Sequence, residues 1–179
     1  MTAIKHTGQR VGVFIDAQNL YHSAKNLYGK KVNFGQILKD AVGDRILIRA
    51  FAYVVSTEEG IEQNFFDALE KVGIEIRKKD LQIFAGGAKK GDWDVGIAVD
   101  AIKLSPKLDA VVLVSGDGDF VPLMEFLKYN QGCQVEAIAF GKSSSARLLE
   151  SVDDFLDLDV DPKKYLLGNA SGWHWQKKK

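Results

Sequence analysis

Residues 45–55, RILIRAFAYVV, run for eleven positions with charged side chains only at Arg45 and Arg49. A strand open to water on one face alternates polar and apolar residues. A nearly continuous apolar run instead fits a strand covered on both faces, as in a parallel sheet held between helical layers. Shorter β-rich runs recur at 10–16 (RVGVFID), 109–115 (DAVVLVS) and 133–140 (CQVEAIAF), with further strand candidates in IEIRKK and LQIF. Helical segments separate them. AQNLYHSAKNLYG closes on Gly29, residues 34–43 close on Gly43, and residues 57–73 open on a capping-box-like Thr57 and stop at Gly73. Residues 95–104 and 120–132 are also expected as helices, and SARLLESVDDFLDL as a helical turn followed by a short strand. This alternation predicts an α/β fold, a three-layer sandwich with a mainly parallel central sheet. One domain is expected over residues 10–160. The composition changes at Asp161, and residues 161–179 read as a C-terminal tail.

Charge narrows the classes of partner. The formal net charge is zero, so a chain-wide basic footprint for nucleic acid is excluded and any such surface must be local. The single cysteine, Cys133, excludes an internal disulfide and fits a reducing compartment. The apolar run VGVFI at 11–15 is too short for a secretion signal or a membrane span, and a cytoplasmic location without membrane contact is expected.

Carboxylates stand where core strands end. Asp16 closes the first strand, and Asp117 and Asp119 follow the apolar run of VLVSGDGDFVPL. In open α/β sheets ligands bind at the carboxyl ends of strands, so parallel pairing gathers these groups at one edge. Asp94, opening a helix after a glycine-containing loop, can join them. Two like charges about 4 Å apart repel by about 4 kcal/mol at an effective dielectric near 20, so such a group needs protons or a cation. Oxygen ligands without a His/Cys cluster favour Mg²⁺ or Mn²⁺ over zinc. Each acid also has a structural reading. Pro122 confines the following helix to a start near Phe120, so Asp119 reads as an N-cap as well as a ligand. Asp117, between Gly116 and Gly118, reads as a turn aspartate or a ligand. Asp16 can cap the next helix, and Asn19 is a first-turn residue or a partner for water or phosphate. Asp94 suits the first turn of a helix by its charge. Asp100 lies six residues further on, about 240° around the helix, and ranks below Asp94.

Three stretches, FIDAQNL (14–20), KKGDWDVGIAVDAI (89–102) and VLVSGDGDFVPLMEFLKYNQGCQVEAIAFG (112–141), together resemble the NYN domain family. That family includes the bacterial LabA-like proteins and belongs to the wider PIN-like nuclease superfamily; the resemblance runs from about residue 10 to 158. It implies a metal-dependent ribonuclease with an acidic pocket at the carboxyl edge of the sheet. By motif, Asp16 and Asn19 match the first-strand Asp-x-x-Asn, Asp94 the acid of the lysine-glycine segment, and Asp117 and Asp119 the Ser-Gly-Asp-x-Asp-Phe motif. The implied metal ligands are Asp16, Asp94, Asp117 and Asp119. An extra residue between Gly91 and Asp94 makes Asp92 a rival, and the apolar register of Val95, Ile97, Ala98 and Ala101 favours Asp94.

RNA cleavage also needs cations against the phosphate backbone. Lys90 is the preferred phosphate contact, with Lys89 beside it and Lys78 and Lys79 near a predicted strand. Ser143 and Ser144, in the polar loop GKSSSAR, are candidates for hydrogen bonds to phosphate, or for an ordinary helix cap. WHWQKKK combines stacking rings with positive charge but reads first as a loose end. Other motifs fail: a P-loop would need glycine at 136, where Glu136 stands, and no G-x-G-x-x-G follows the first strand. His6, His22 and His174 lack metal-ligand spacing, and Cys133 reads as a small core residue. Three functions compete. The first is a Mg²⁺- or Mn²⁺-dependent ribonuclease acting on single-stranded RNA. The second is a non-catalytic PIN-like module that binds RNA or a protein. The third, a haloacid-dehalogenase-like phosphatase, is disfavoured because Gln18 occupies the position of its general acid. A homodimer is compatible with the sequence, which locates no interface for it.

Overall fold

The computed structural model of the chain describes residues 3–56, 63–80, 82–83, 85 and 89–169. Strand β1 (Arg10–Asp16) leads into α1 (Ala17–Tyr28), followed by β2 (Lys30–Val32) and α2 (Phe34–Val42). Then come β3 (Ile46–Ser56), α3 (Gln63–Lys71), β4 (Glu75–Asp80) and the short strands β5 (Gln82–Ile83) and β6 (Lys89–Lys90). Helix α4 (Asp94–Leu104), β7 (Ala110–Val114), α5 (Val121–Tyr129) and β8 (Gln134–Ala139) follow. The last described elements are α6 (Ala146–Ser151), β9 (Asp154–Asp157), α7 (Pro162–Tyr165) and β10 (Leu166–Asn169). Thr57, expected to open the third helix, lies outside the described residues.

The central sheet has six strands in the order β4-β3-β1-β7-β8-β9, and every neighbouring pair is parallel. Its two faces carry separate cores. Val13 and Ile15 of β1 pack with Leu20, Ile37 and Phe66 from α1, α2 and α3. Phe14, between them, faces Ile97, Met124 and Leu148 from α4, α5 and α6. The α/β sandwich expected from the sequence is therefore what forms. Burial on both faces of β3 is complete only from Ala50 to Val55, and Ile46 stays half exposed. At the amino-terminal side of β8, Glu136 is buried in a two-pronged pair with Arg45, at 2.5 and 3.0 Å, and also meets Lys5 Nζ at 2.9 Å. The residue that breaks the P-loop pattern is thus the anchor of a buried ion network. Cys133 is buried, and burial pushes its thiol pKa up.

Helix α4 departs from the expected register. Ile97 and Ala101 face the core, whereas Val95 is 74% exposed and Val99 and Ile102 are exposed as well. The helix carries apolar residues on two sides, so periodicity alone does not choose the buried one. Past Asp161 the chain continues into α7 and β10. β10 pairs antiparallel with β2, and the Tyr165 hydroxyl donates to Asp40 Oδ2 at 2.6 Å. Residues 170–179, which include WHWQKKK, lie outside the described residues. Among the described residues no helix is long and apolar enough to cross a membrane.

Candidate active site

In chain order the six sheet strands stand third, second, first, fourth, fifth, sixth, so successive connections change direction between β1 and β7. Such a switch opens a crevice beyond the carboxyl ends of the two strands, because the chains leaving them diverge. Asp16 ends β1 at this point, and residues 115–119 leave β7 beside it.

Asp16 is only 9% exposed. Its Oδ1 accepts the Asn19 N–H at 3.1 Å, capping α1, and its Oδ2 accepts the Ser115 hydroxyl at 3.4 Å. Capping and a place in the crevice therefore coincide in one carboxylate. Asn19 binds the two sides together: its Oδ1 accepts the Gly116 N–H at 3.0 Å. The capping role expected of Asp119 falls instead to Asp117, whose Oδ1 accepts the Asp119 N–H at 3.0 Å and starts a single 3-10 turn over 118–120. Helix α5 begins after that turn with Pro122 in its first turn and no side-chain cap. The interposed turn moves the cap two residues upstream.

The glycines flanking Asp117 are there for space, since neither has a positive φ. A Cβ on Gly116 would fall 2.6 Å from Ser144 Oγ, and one on Gly118 would fall 2.6 Å from Ser145 Oγ. Their absence lets the serine loop lie directly on the acid loop, where the Ser145 N–H donates to Gly116 O at 2.9 Å.

Asp94, Asp117 and Asp119 each offer a carboxylate oxygen, and the three oxygens lie within 4.8 Å of one another. Asp94 and Asp117 are half-buried and Asp119 is exposed. Asp94 and Asp117 line a cleft of about 700 Å³, together with Asp16, Asp92 and Trp93. A set of carboxylate oxygens with no sulfur or imidazole among them fits a hard divalent cation such as Mg²⁺ or Mn²⁺. Asp92 lines the cleft but is not one of the three converging acids. Asp100 is engaged elsewhere, accepting the Tyr53 hydroxyl at 2.9 Å and facing Arg77 at 3.5 Å. Burial and this carboxylate together raise the Tyr53 pKa.

The remaining candidates divide. Ser143 lines the cleft and its hydroxyl meets Ser23 Oγ at 2.9 Å. The Ser144 hydroxyl donates to Phe140 O at 2.8 Å. The backbone of Lys89 and Lys90 forms β6, and their side chains lie outside the described residues. Lys79, at the end of β4, donates to Asp92 O at 3.1 Å, while Lys78 Nζ sits 5.2 Å from the Phe66 ring centroid. The far wall comes from α1, where Gln18, His22 and Asn26 line the cleft. Motif matching passes over these three. Their spacing of four residues, which places them along one helix face, was the available signal. Trp93 is passed over too: it stands with Asp92 between Gly91 and Asp94, where the motif has one residue fewer.

A family model described as NYN domain matches residues 10–159. The chain belongs to the NYN domain family. Among relatives of this NYN protein is the low amplitude and bright protein LabA of Synechococcus elongatus, 25% identical over 158 residues that cover 84% of each chain. Among solved structures, the NYN chain is similar to VPA0982 of Vibrio parahaemolyticus, a protein of unknown function. The TM-score is 0.83 and the identity 30%, over 92% of this chain and all of that one. The family match covers nearly the same span as the three motifs read from the sequence, and the acidic cluster is compatible with a nuclease of PIN-like fold.

Proposed function

We propose that this NYN domain is a Mg²⁺- or Mn²⁺-dependent ribonuclease that hydrolyses phosphodiester bonds of single-stranded RNA in the cytoplasm. The observation that carries the proposal is the convergence of Asp94, Asp117 and Asp119 within 4.8 Å, at the switch point of a sheet that belongs to this family. These three carboxylates would hold the cation, with Asp16 beside them in the cleft. When bound, a divalent ion lowers the pKa of a water molecule and offsets phosphate charge. The chain's own groups do the rest. Asp16 is oriented by Ser115 and by the Asn19 N–H. The Asn19 side-chain oxygen is taken by Gly116, so what this residue offers a phosphate is its amide N–H. Ser143 adds a hydroxyl to the cleft lining, and Lys90 is the cation that the sequence motif offers for the phosphate backbone.

Labelled single-stranded RNA incubated with the protein and Mn²⁺ or Mg²⁺ tests this reading, beside Asp16→Asn, Asp117→Asn and a generic phosphatase substrate. Strand scission that both substitutions abolish is the expected result. Phosphate release without scission would favour the phosphatase. RNA left intact across substrates and metals would make the domain a binding module.

A further inference from the structure

The indole of Trp93 forms part of the cleft wall, yet its contacts are those of a strut. Its Nε1–H donates to Val54 O at 2.9 Å, fixing the ring to the carboxyl half of β3. It meets the buried Tyr53 ring edge-on, with centroids 5.4 Å apart and planes at 61°. On the helix side, a Cβ at Gly96 would lie 2.4 Å from the indole Cε3, so only glycine lets the ring rest on the first turn of α4. Lys79 closes the arrangement, with Nζ 5.5 Å from the indole centroid while it donates to Asp92 O. Trp93 stands at the N-cap of α4 but makes no side-chain cap bond. The acid-bearing end of this helix is therefore located by packing of the indole against β3, and the ring is committed to that packing rather than offered to a base.

We propose that Trp93 is a positioning residue: by pinning the first turn of α4 to β3 it brings Asp94 to Asp117 and Asp119 and so sets the affinity of the acidic site for a divalent cation. This rests on the metal-site reading above. Groups that orient ligands from behind typically change metal affinity about 10- to 100-fold when replaced.

The test measures Mn²⁺ binding to the full chain by calorimetry, for Trp93→Phe, Trp93→Leu and Gly96→Ala, at temperatures where melting curves show each variant folded. Phe keeps an aromatic ring but loses the donor to Val54, and Leu loses both. Gly96→Ala leaves the indole in place chemically and displaces it sterically, although alanine is the better helix former. The Mn²⁺ dissociation constant should rise about 10- to 100-fold for Trp93→Leu and Gly96→Ala, and by less for Trp93→Phe. Glu136→Gln, which weakens the fold away from the cleft, should leave it unchanged. Unchanged affinity in folded Trp93→Leu or Gly96→Ala overturns the proposal, and where those two do not fold, unchanged affinity in Trp93→Phe does so. A second readout needs no metal. In chelator, the stability coupling between Asp94→Asn and Asp117→Asn should be present in the parent chain and shrink in the Trp93→Phe background. Equal coupling in both backgrounds also overturns it. If the parent chain binds no Mn²⁺, the metal-site reading fails and this coupling alone judges the strut.

Discussion

Replacing Asp117 with asparagine separates the two jobs that its carboxylate combines. Asparagine retains an oxygen to accept the Asp119 N–H, so the 3-10 turn keeps its cap. What disappears is one negative charge from a group of three whose oxygens lie within 4.8 Å. At that separation a pair of unit charges repels by about 3.5 kcal/mol at an effective dielectric near 20, and by about 0.9 kcal/mol in bulk water. Asp94 is half-buried and Asp119 exposed, so the two lost pairs fall between these limits. Two pairs sum to about 1.7 kcal/mol at the water limit and about 7 kcal/mol at the other, and with Asp119 exposed the sum lies toward the lower one, a gain of roughly 2–3 kcal/mol in the metal-free protein. For a chain of this size that raises the melting temperature by roughly 4–12 °C. With a divalent ion at about 100 times its dissociation constant, the parent protein gains about 2.7 kcal/mol, and the variant, short of a ligand, gains little. Urea unfolding in EDTA and again in Mn²⁺ gives both numbers. An Asp117→Asn chain that is less stable than its parent in EDTA, yet gains as much from Mn²⁺, would refute the reasoning: these carboxylates would neither repel one another nor share an ion.

Three further outcomes follow from the packing. Gly116→Ala drives a Cβ to 2.6 Å from Ser144 Oγ and 3.1 Å from the Ser144 Cα. It should cost about 1–3 kcal/mol in urea unfolding, and a second substitution, Ser144→Gly, should recover part of the loss. Glu136→Ala leaves Arg45, whose side chain is 3% exposed, without its carboxylate partner, and should destabilise by about 3–5 kcal/mol in the same assay. The Arg10 side chain, hydrogen-bonded to Asp109 together with the Arg10 backbone N–H, holds that carboxyl down at about 2. The folded pKa lies below the unfolded value of 3.8, so this contribution is present above 3.8 and is lost as pH falls through about 2. Asp109→Asn should flatten stability across that window, and by a small amount, because the pair is exposed to solvent.

The alternation of apolar runs and helical segments by itself determined the α/β class, and with it the rule that strand-end acids share one edge. Burial repeats locally along a segment, and so the pattern of Val13, Phe14 and Ile15 already encodes a strand with two covered faces. The Asp16, Asp94 and Asp117 motifs are legible for the same reason, since each sits at a boundary of its own segment: Asp16 ends β1, Asp94 opens α4 and Asp117 follows β7. Tertiary structure decided what depends on distances between segments. Asp16 and Ser115 are 99 residues apart in the chain and meet only because β1 and β7 pair. Asp117 rather than Asp119 became the cap because a 3-10 turn precedes α5. Val95 turned outward because α4 is apolar on two sides and the sheet can cover one. The need for glycine at 116, 118 and 96 arises from Ser144, Ser145 and Trp93, whose side chains press on those backbones in the folded chain. Periodicity records which residues leave water, but only packing settles which atoms they then meet.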